Sequence, residues 1–205
     1  MRTLVPFGAR DPKTRLGSVL DAEERHAFAE AMLEDVLAAL SNRDPVVLAN
    51  APVDVDAPVI LDERPLTEAV NAELADESPT AIVTADLPLL DAEAVRKLFA
   101  PDTDLVVAPG LGGGTNALVV RDPAFRVDYH GVSVRDHHRR ARASDTSLAT
   151  VDSFRLAMDI DEPGDLVEVL LHGDGAAADW LRAHGGRLTT TDGRVQFSRD
   201  PEKPE

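Results

Sequence analysis

Short β-branched apolar runs alternate along this chain with longer stretches whose apolar residues recur at helical spacing. Thr3-Leu4-Val5-Pro6-Phe7, Pro45-Val46-Val47-Leu48-Ala49, Val59-Ile60-Leu61 and Thr80-Ala81-Ile82-Val83-Thr84-Ala85 read as strands, bounded by turn residues. Between the first two, Phe28, Met32, Leu33, Val36, Leu37 and Leu40 form one helical stripe. Asp21 opens that helix with Glu24 three residues on, the spacing of a capping box. Leu66 to Leu74 reads as a helix, and Asp91 caps another that runs to Phe99. Leu105–Ala108 and Ala117–Val120 form two further strands, followed by a basic helix from about Val134 to Ala143. Ser153–Met158 alternates and is expected to run extended into Asp159-Ile160-Asp161. A helix is expected to begin near Pro163, and Asp179–His184 a last helical turn or two. Strands alternating with helices predict a layered α/β fold with a mostly parallel sheet. The sheet should be mixed, because a short glycine loop joins two of its strands directly. One domain over 1–199 is expected, with a disordered, proline-rich charged tail over 200–205.

Composition narrows the chemistry. The chain has 205 residues, 37 Asp plus Glu against 21 Lys plus Arg, and a net charge of -16. Such acidity opposes non-specific binding to nucleic acid, and an anionic substrate would need a local island of cations or metal. It also fits a salty cytoplasm, where screening relieves self-repulsion. There is no cysteine, so disulfides and thiolate metal sites are excluded. No apolar run approaches membrane-spanning length and no signal peptide is visible, which leads us to expect a soluble cytoplasmic protein.

Five features carry candidate chemistry. The run Gly110-Leu111-Gly112-Gly113-Gly114-Thr115-Asn116 is neither a dinucleotide fingerprint nor a Walker A loop, but its bare amides suit an anion. Asp86 ends an apolar strand before Leu87-Pro88, where it either ligates a hard cation or simply starts a turn. In Asp159-Ile160-Asp161 the carboxylates share one face of an extended segment, as they would around a metal. The alternative is an acidic helix start over Asp161–Asp165. Lys13 and Arg15, in a chain poor in cations, either grip a triphosphate or lie in a solvated loop. Ser133, with Asp136 beyond it, either caps the basic helix or joins its N-terminus in an anion site. His137 and His138 diverge by about 100° on a helix and are expected to be surface or packing residues.

Together these elements resemble the 2-phospho-L-lactate guanylyltransferase family of coenzyme F-420 biosynthesis. The resemblance covers nearly the whole chain. It is carried by Pro12–Leu16, Glu24-Arg25, Met32–Val36, Asp86–Leu90, Gly112–Leu118, Ser133 with His137, and Asp159–Leu166. It implies a three-layer nucleotidyltransferase fold of the nucleotide-diphospho-sugar transferase, or glycosyltransferase-A, type. It implies that GTP and 2-phospho-L-lactate, or phosphoenolpyruvate in some relatives, give a lactyl-diphospho-guanosine and pyrophosphate. Asp86, Asp159 and Asp161 would then bind Mg²⁺ or Mn²⁺, with Lys13 and Arg15 on the triphosphate. Gly113, Gly114, Thr115, Asn116, Gly131 and Ser133 would meet the phosphorylated hydroxy acid, and the enzyme would be a homodimer. The chain departs from the family at Gly131, one place late, and at Leu66-Thr67-Glu68-Ala69, where Leu-Asn-x-Ala is usual. A molybdenum-cofactor or sugar-phosphate nucleotidyltransferase and a non-catalytic nucleotide-binding regulator are the competing expectations.

Overall fold

The computed structural model describes residues 1–76 and 78–199. The order is β1 (Arg2–Phe7), α1 (Ala22–Ala39), β2 (Pro45–Ala49), β3 (Val59–Leu61), α2 (Leu66–Glu73), β4 (Thr80–Val83) and α3 (Ala92–Phe99). Then follow β5 (Leu105–Pro109), β6 (Thr115–Val120), α4 (Ser133–Ala143), β7 (Leu148–Thr150), α5 (Phe154–Ala157), α6 (Leu166–His172) and α7 (Ala176–Ala183). A hairpin of β8 (Gly186–Thr191) and β9 (Arg194–Arg199) closes the described chain.

Seven strands form one sheet in the order β3-β2-β1-β4-β6-β5-β7. β6 runs antiparallel to both of its neighbours, and the other pairings are parallel. Central strands are buried on both faces, which is why they read as unbroken apolar runs rather than alternating ones. One face is covered by α1, α3, α5, α6 and α7 through residues such as Phe28, Met32, Leu98, Leu156, Val169 and Leu181. The other is covered by α2 and α4 with Phe125 and Val127. The result is the expected three-layer mixed sheet.

Two consequences position the site. The chain steps from β1 outward through β2 to β3, then returns to the other side of β1 as β4. The strand order therefore reverses between β1 and β4, and ligands collect beyond the carboxyl ends at such a point. Because β5 is parallel to β7 and opposed to β6, the glycine loop between β5 and β6 sits at that same end of the sheet.

Local expectations mostly hold. Asp21 and Glu24 form the capping box in both directions, at 2.9 Å each. Glu24 has a second task. It takes Arg199 of β9 in a salt bridge that holds its carboxyl down at about 2. Two readings need correction. Ser153–Met158 is not extended; residues 154–157 form the helical turn α5, closed by the amides of Leu156 and Ala157 donating to the Ser153 carbonyl. That turn presents Leu156 and Ala157 carbonyls to the glycine loop, a tertiary demand that alternation does not reveal. The helix expected near Pro163 begins at Leu166, because the Asp165 carboxylate first accepts from the Asp161 and Glu162 amides and holds a turn there. β7 and the β8–β9 hairpin were not expected. The tail from Asp200 lies outside the described residues. No helix among the described residues is long and apolar enough to cross a membrane.

Candidate functional site

A cleft of about 500 Å³ opens at the carboxyl ends of β1, β2 and β4. Lys13, Arg15, Asp86 and Asp161 line it, with Arg10, Asn50, Asp62 and Arg64 on the β2–β3 side. Lys13 reaches it from a backbone in the left-handed region, φ 53°, with Asp11 also at positive φ, 44°. Non-glycine residues pay roughly 1–3 kcal/mol for such conformations, so this loop is held against its own preference. Its ammonium stands 2.8 Å from Asp86 Oδ2 and 2.8 Å from Asp161 Oδ1. Arg15 adds a 3.1 Å contact to Asp161 Oδ2 from a side chain that is 67% exposed. Burial pulls the Lys13 pKa down, but the two carboxylates outweigh it and hold it above the ordinary value. Burial likewise pushes Asp86 up, and Lys13 overcomes it, so the carboxyl sits below its usual range. The other oxygen of Asp86, Oδ1, is buried without a hydrogen-bond partner.

Asp159 is the opposite case. Burial raises its pKa, and the charges of Asp86 and Asp161 raise it further. Its larger relief is Asn116, whose Nδ2 donates to Asp159 Oδ1 at 3.0 Å and to the Leu156 carbonyl at 3.0 Å; a backbone amide gives a smaller one. Asn116 in turn lies against Gly110, where a Cβ would come within 2.5 Å of Asn116 Oδ1. The glycine there makes room for the brace that holds the aspartate. Among the described residues, no group of three His, Cys, Asp or Glu side chains is placed as a metal cage. Lys13 stands between two of the three aspartates instead.

The glycine loop spends more of its amides than its composition suggests. Gly110 N donates to the Gly114 carbonyl, Gly113 N to Gly110, and Leu111 N to Ala157 of α5. The amides of Gly112 and Gly114 are the ones left over within 110–114. Gly113, at φ +84°, needs the freedom of glycine. Its carbonyl accepts from Val134 N at 3.4 Å, which docks the start of α4 on the loop. Ser133 is not the N-cap. Val132 takes that place with no side-chain cap bond, and Ser133 is the first helical residue. Its hydroxyl donates to Thr115 Oγ1 at 3.2 Å, and Thr115 Oγ1 also lies 2.9 Å from His137 Nδ1. Thr115, Ser133 and His137 are all buried. The Thr115 hydroxyl thus turns into this small network rather than standing open beside the loop amides. His137 packs, as expected, between Phe125 and Tyr129. Burial, aided by Arg140, pushes its pKa down to about 4.

The structure therefore divides the predicted residues into two sets at one end of the sheet. Lys13, Arg15, Asp86 and Asp161 share the cleft. Gly113, Gly114, Thr115 and Ser133 meet around the start of α4, with Gly131 nearby at φ +61°. Asn116 and Asp159 connect the sets. Sequence reasoning missed Asn50, Asp62 and Arg64, although Asn50 follows β2 and Asp62 follows β3, where the carboxyl-end rule already pointed. It also missed that Thr67 takes part. The Thr67 hydroxyl accepts from Tyr129 N at 3.0 Å, while Asn71 bonds both backbone groups of Val127.

This arrangement has relatives. The family model described as "Guanylyl transferase CofC like" matches residues 1–198. The chain belongs to this family. A 2-phospho-L-lactate guanylyltransferase of Natronomonas pharaonis is 57% identical over 201 residues, covering 97% of this chain and 99% of the relative. One from Haloferax volcanii is 57% identical over 204 residues, covering 98% and 99%. Among solved structures, a chain from Desulfovibrio desulfuricans G20, named by likeness a nucleotide-diphospho-sugar transferase, superposes with a TM-score of 0.71. It is 16% identical, and the match covers 88% of this chain and 93% of that one. A cytidylyltransferase from Leptospira borgpetersenii gives 0.52 at 12% identity, covering 88% and 91%. These likenesses show the fold, and the family membership spans both halves of the site.

Proposed function

We propose that this chain transfers the guanylyl group of GTP to the phosphate of a small phosphorylated hydroxy acid, 2-phospho-L-lactate first among them. The observation that carries this reading is family membership along the whole chain, including the cleft and the glycine-loop network. An oxygen of the acceptor phosphate forms a bond to the α-phosphorus. The bond from that phosphorus to the bridging oxygen breaks, and pyrophosphate leaves. A phosphomonoester is largely dianionic near neutral pH, with a second pKa of about 6, so no general base is needed.

The difficulty is bringing anion to anion. Lys13 and Arg15 would hold the triphosphate in the cleft, with the nucleoside toward Asn50, Arg64 and Leu66. The free amides of Gly112 and Gly114, the Thr115–Ser133 hydroxyls and the start of α4 would take the acceptor phosphate, beside Gly131. Asn116 is a brace for Asp159 in this reading rather than a ligand. A divalent cation, Mg²⁺ or Mn²⁺, fits the aspartates. Asp86 keeps a buried oxygen without a partner, and Asp159 is a carboxylate whose surroundings disfavour its charge. Asp86, Asp159 and Asp161 would hold it, and it would supply neutralising charge for the phosphates.

The test is direct. The protein is incubated with GTP and Mg²⁺ and, separately, phospholactate, phosphoenolpyruvate or phosphoglycerate, and the products are weighed by mass spectrometry. A diphosphate-linked guanosine adduct with stoichiometric pyrophosphate is expected. Better turnover with a sugar phosphate or a molybdopterin, or none with any acid, would overturn the assignment.

A further inference from the structure

His137 is fully buried, yet both of its ring nitrogens are engaged. Nε2 receives the backbone N–H of Asp128 at 3.0 Å. A main-chain amide can only donate, so Nε2 must be an acceptor and the ring proton must sit on Nδ1. Nδ1 then donates to Thr115 Oγ1 across 2.9 Å. This tautomer fixes the protons of the two hydroxyls beyond it. Thr115 and Ser133 own two hydroxyl protons, and one is used in the 3.2 Å bond between them. Since His137 donates rather than accepts, the other has no acceptor inside the network. Ser133 is the donor in that bond, so the proton left for a group outside the network is that of Thr115. With the proton on Nε2 instead, both hydroxyl protons would be consumed internally, and the pair would turn lone pairs toward an incoming anion.

The amide that sets this state is itself held. Asn71 clamps Val127 on one side of Asp128, through bonds of 3.0 and 2.9 Å, and Thr67 holds Tyr129 on the other. The Asp128 carboxylate is fixed by His130 and Arg140. Phe125 and Tyr129 pack against the imidazole, which is fully buried.

We infer that His137 is a positioning residue: its Nδ1–H tautomer, dictated by the Asp128 amide, makes the Thr115–Ser133 pair a hydroxyl donor toward the phosphate of the acceptor. This rests on the proposed placement of the acceptor at Thr115 and Ser133. Thr67 and Asn71 of α2, which hold the backbone on either side of Asp128, become part of the same device.

Two measurements test it. In ¹⁵N-labelled wild-type protein, the His137 ring should show a protonated Nδ1 and a bare Nε2 at neutral pH; the reverse tautomer or an imidazolium overturns the inference. Kinetics then separate positioning from packing. His137→Asn puts an amide nitrogen where Nδ1 stood, whereas His137→Leu has no donor, and both leave the Asp128 amide unpartnered. His137→Leu keeps the Thr115 proton free but removes the donor that orients the Thr115 oxygen, so the acceptor KM should rise about three- to tenfold, the worth of a neutral hydrogen bond, with GTP KM unchanged. His137→Asn should recover most of that loss. Equal defects in the two variants would mean that the ring matters only for packing, which overturns the inference. Thr115→Val separates this failure from failure of the underlying reading. If it leaves the acceptor KM unchanged, the acceptor is not at this pair. If it raises KM and His137→Leu does not, only the tautomer argument falls.

Discussion

Asp86→Asn and Asp159→Asn should move stability in opposite directions, although each should abolish turnover. The two aspartates belong to one site but see opposite surroundings. Asp86 accepts from Lys13 at 2.8 Å, and the Lys13 side chain is only 13% exposed. Neutralising Asp86 leaves a buried ammonium paired with Asp161 alone, which is 40% exposed. Breaking a buried pair outright costs about 3–5 kcal/mol; with Asp161 retained and an amide oxygen still accepting, about 1–3 kcal/mol is expected. Among the described residues no cation pairs with Asp159, and burial and its two carboxylate neighbours all disfavour its charge. Asparagine there keeps an oxygen for Asn116 and removes the repulsion, a gain on the order of 1 kcal/mol. The variants should differ by roughly 2–4 kcal/mol, which in a domain of this size separates their melting temperatures by about 5–15 °C. Urea and thermal unfolding in high KCl with EDTA would measure this without contribution from divalent metal. The pH dependence adds a sign. The raised Asp159 pKa means that its penalty is present when the carboxyl is ionised and disappears as pH falls through the folded value. The advantage of Asp159→Asn should therefore shrink in acid. If both variants shift the same way, the lysine-centred account of the cleft is wrong.

Three further outcomes are expected. Gly110→Ala, whose Cβ would lie 2.5 Å from Asn116 Oδ1, should cost about 2 kcal/mol, whereas Gly112→Ala, with open space around it, should be nearly neutral; paired urea curves check this. His137 has a folded pKa of about 4 against a usual 6.5, so its contribution is complete above about pH 6.5 and is lost, to about 3 kcal/mol, as pH falls to 4. His137→Asn should flatten that slope in pH-dependent unfolding, and an unchanged slope counts against the buried neutral ring. Raising KCl from about 0.1 to about 1 M shortens the screening length from about 10 to 3 Å and should raise the melting temperature of a chain carrying -16 charges. A melting temperature that falls over that range would refute the role of self-repulsion.

What could be read from the sequence follows from which physical rule governs each part. The parallel core was legible because strands buried on both faces leave unbroken runs, as in Leu4-Val5 and Ala81-Ile82-Val83, and helices facing them keep a single stripe. Asp86 was legible because a carboxylate ending such a run projects past the strand ends. The hairpin β8–β9 was legible too, and missed. Asp192 and Gly193 have φ of 50° and 75°, and Asp-Gly is the pair such a turn prefers. Other parts left no local trace. Nothing in Lys13 or its neighbours announces a left-handed backbone, and without it the ammonium could not be assigned to Asp86 and Asp161. Asn116 reads as one polar residue in an apolar strand until Leu156, Asp159 and Gly110 arrive from elsewhere in the chain. His137 is the extreme case. Helical spacing shows that it diverges from His138, which argues against a shared metal, but its importance depends on a backbone amide nine residues earlier. Periodicity reports which face a residue occupies. It does not report the direction of a proton, and the donor role proposed for the Thr115–Ser133 pair depends on that direction.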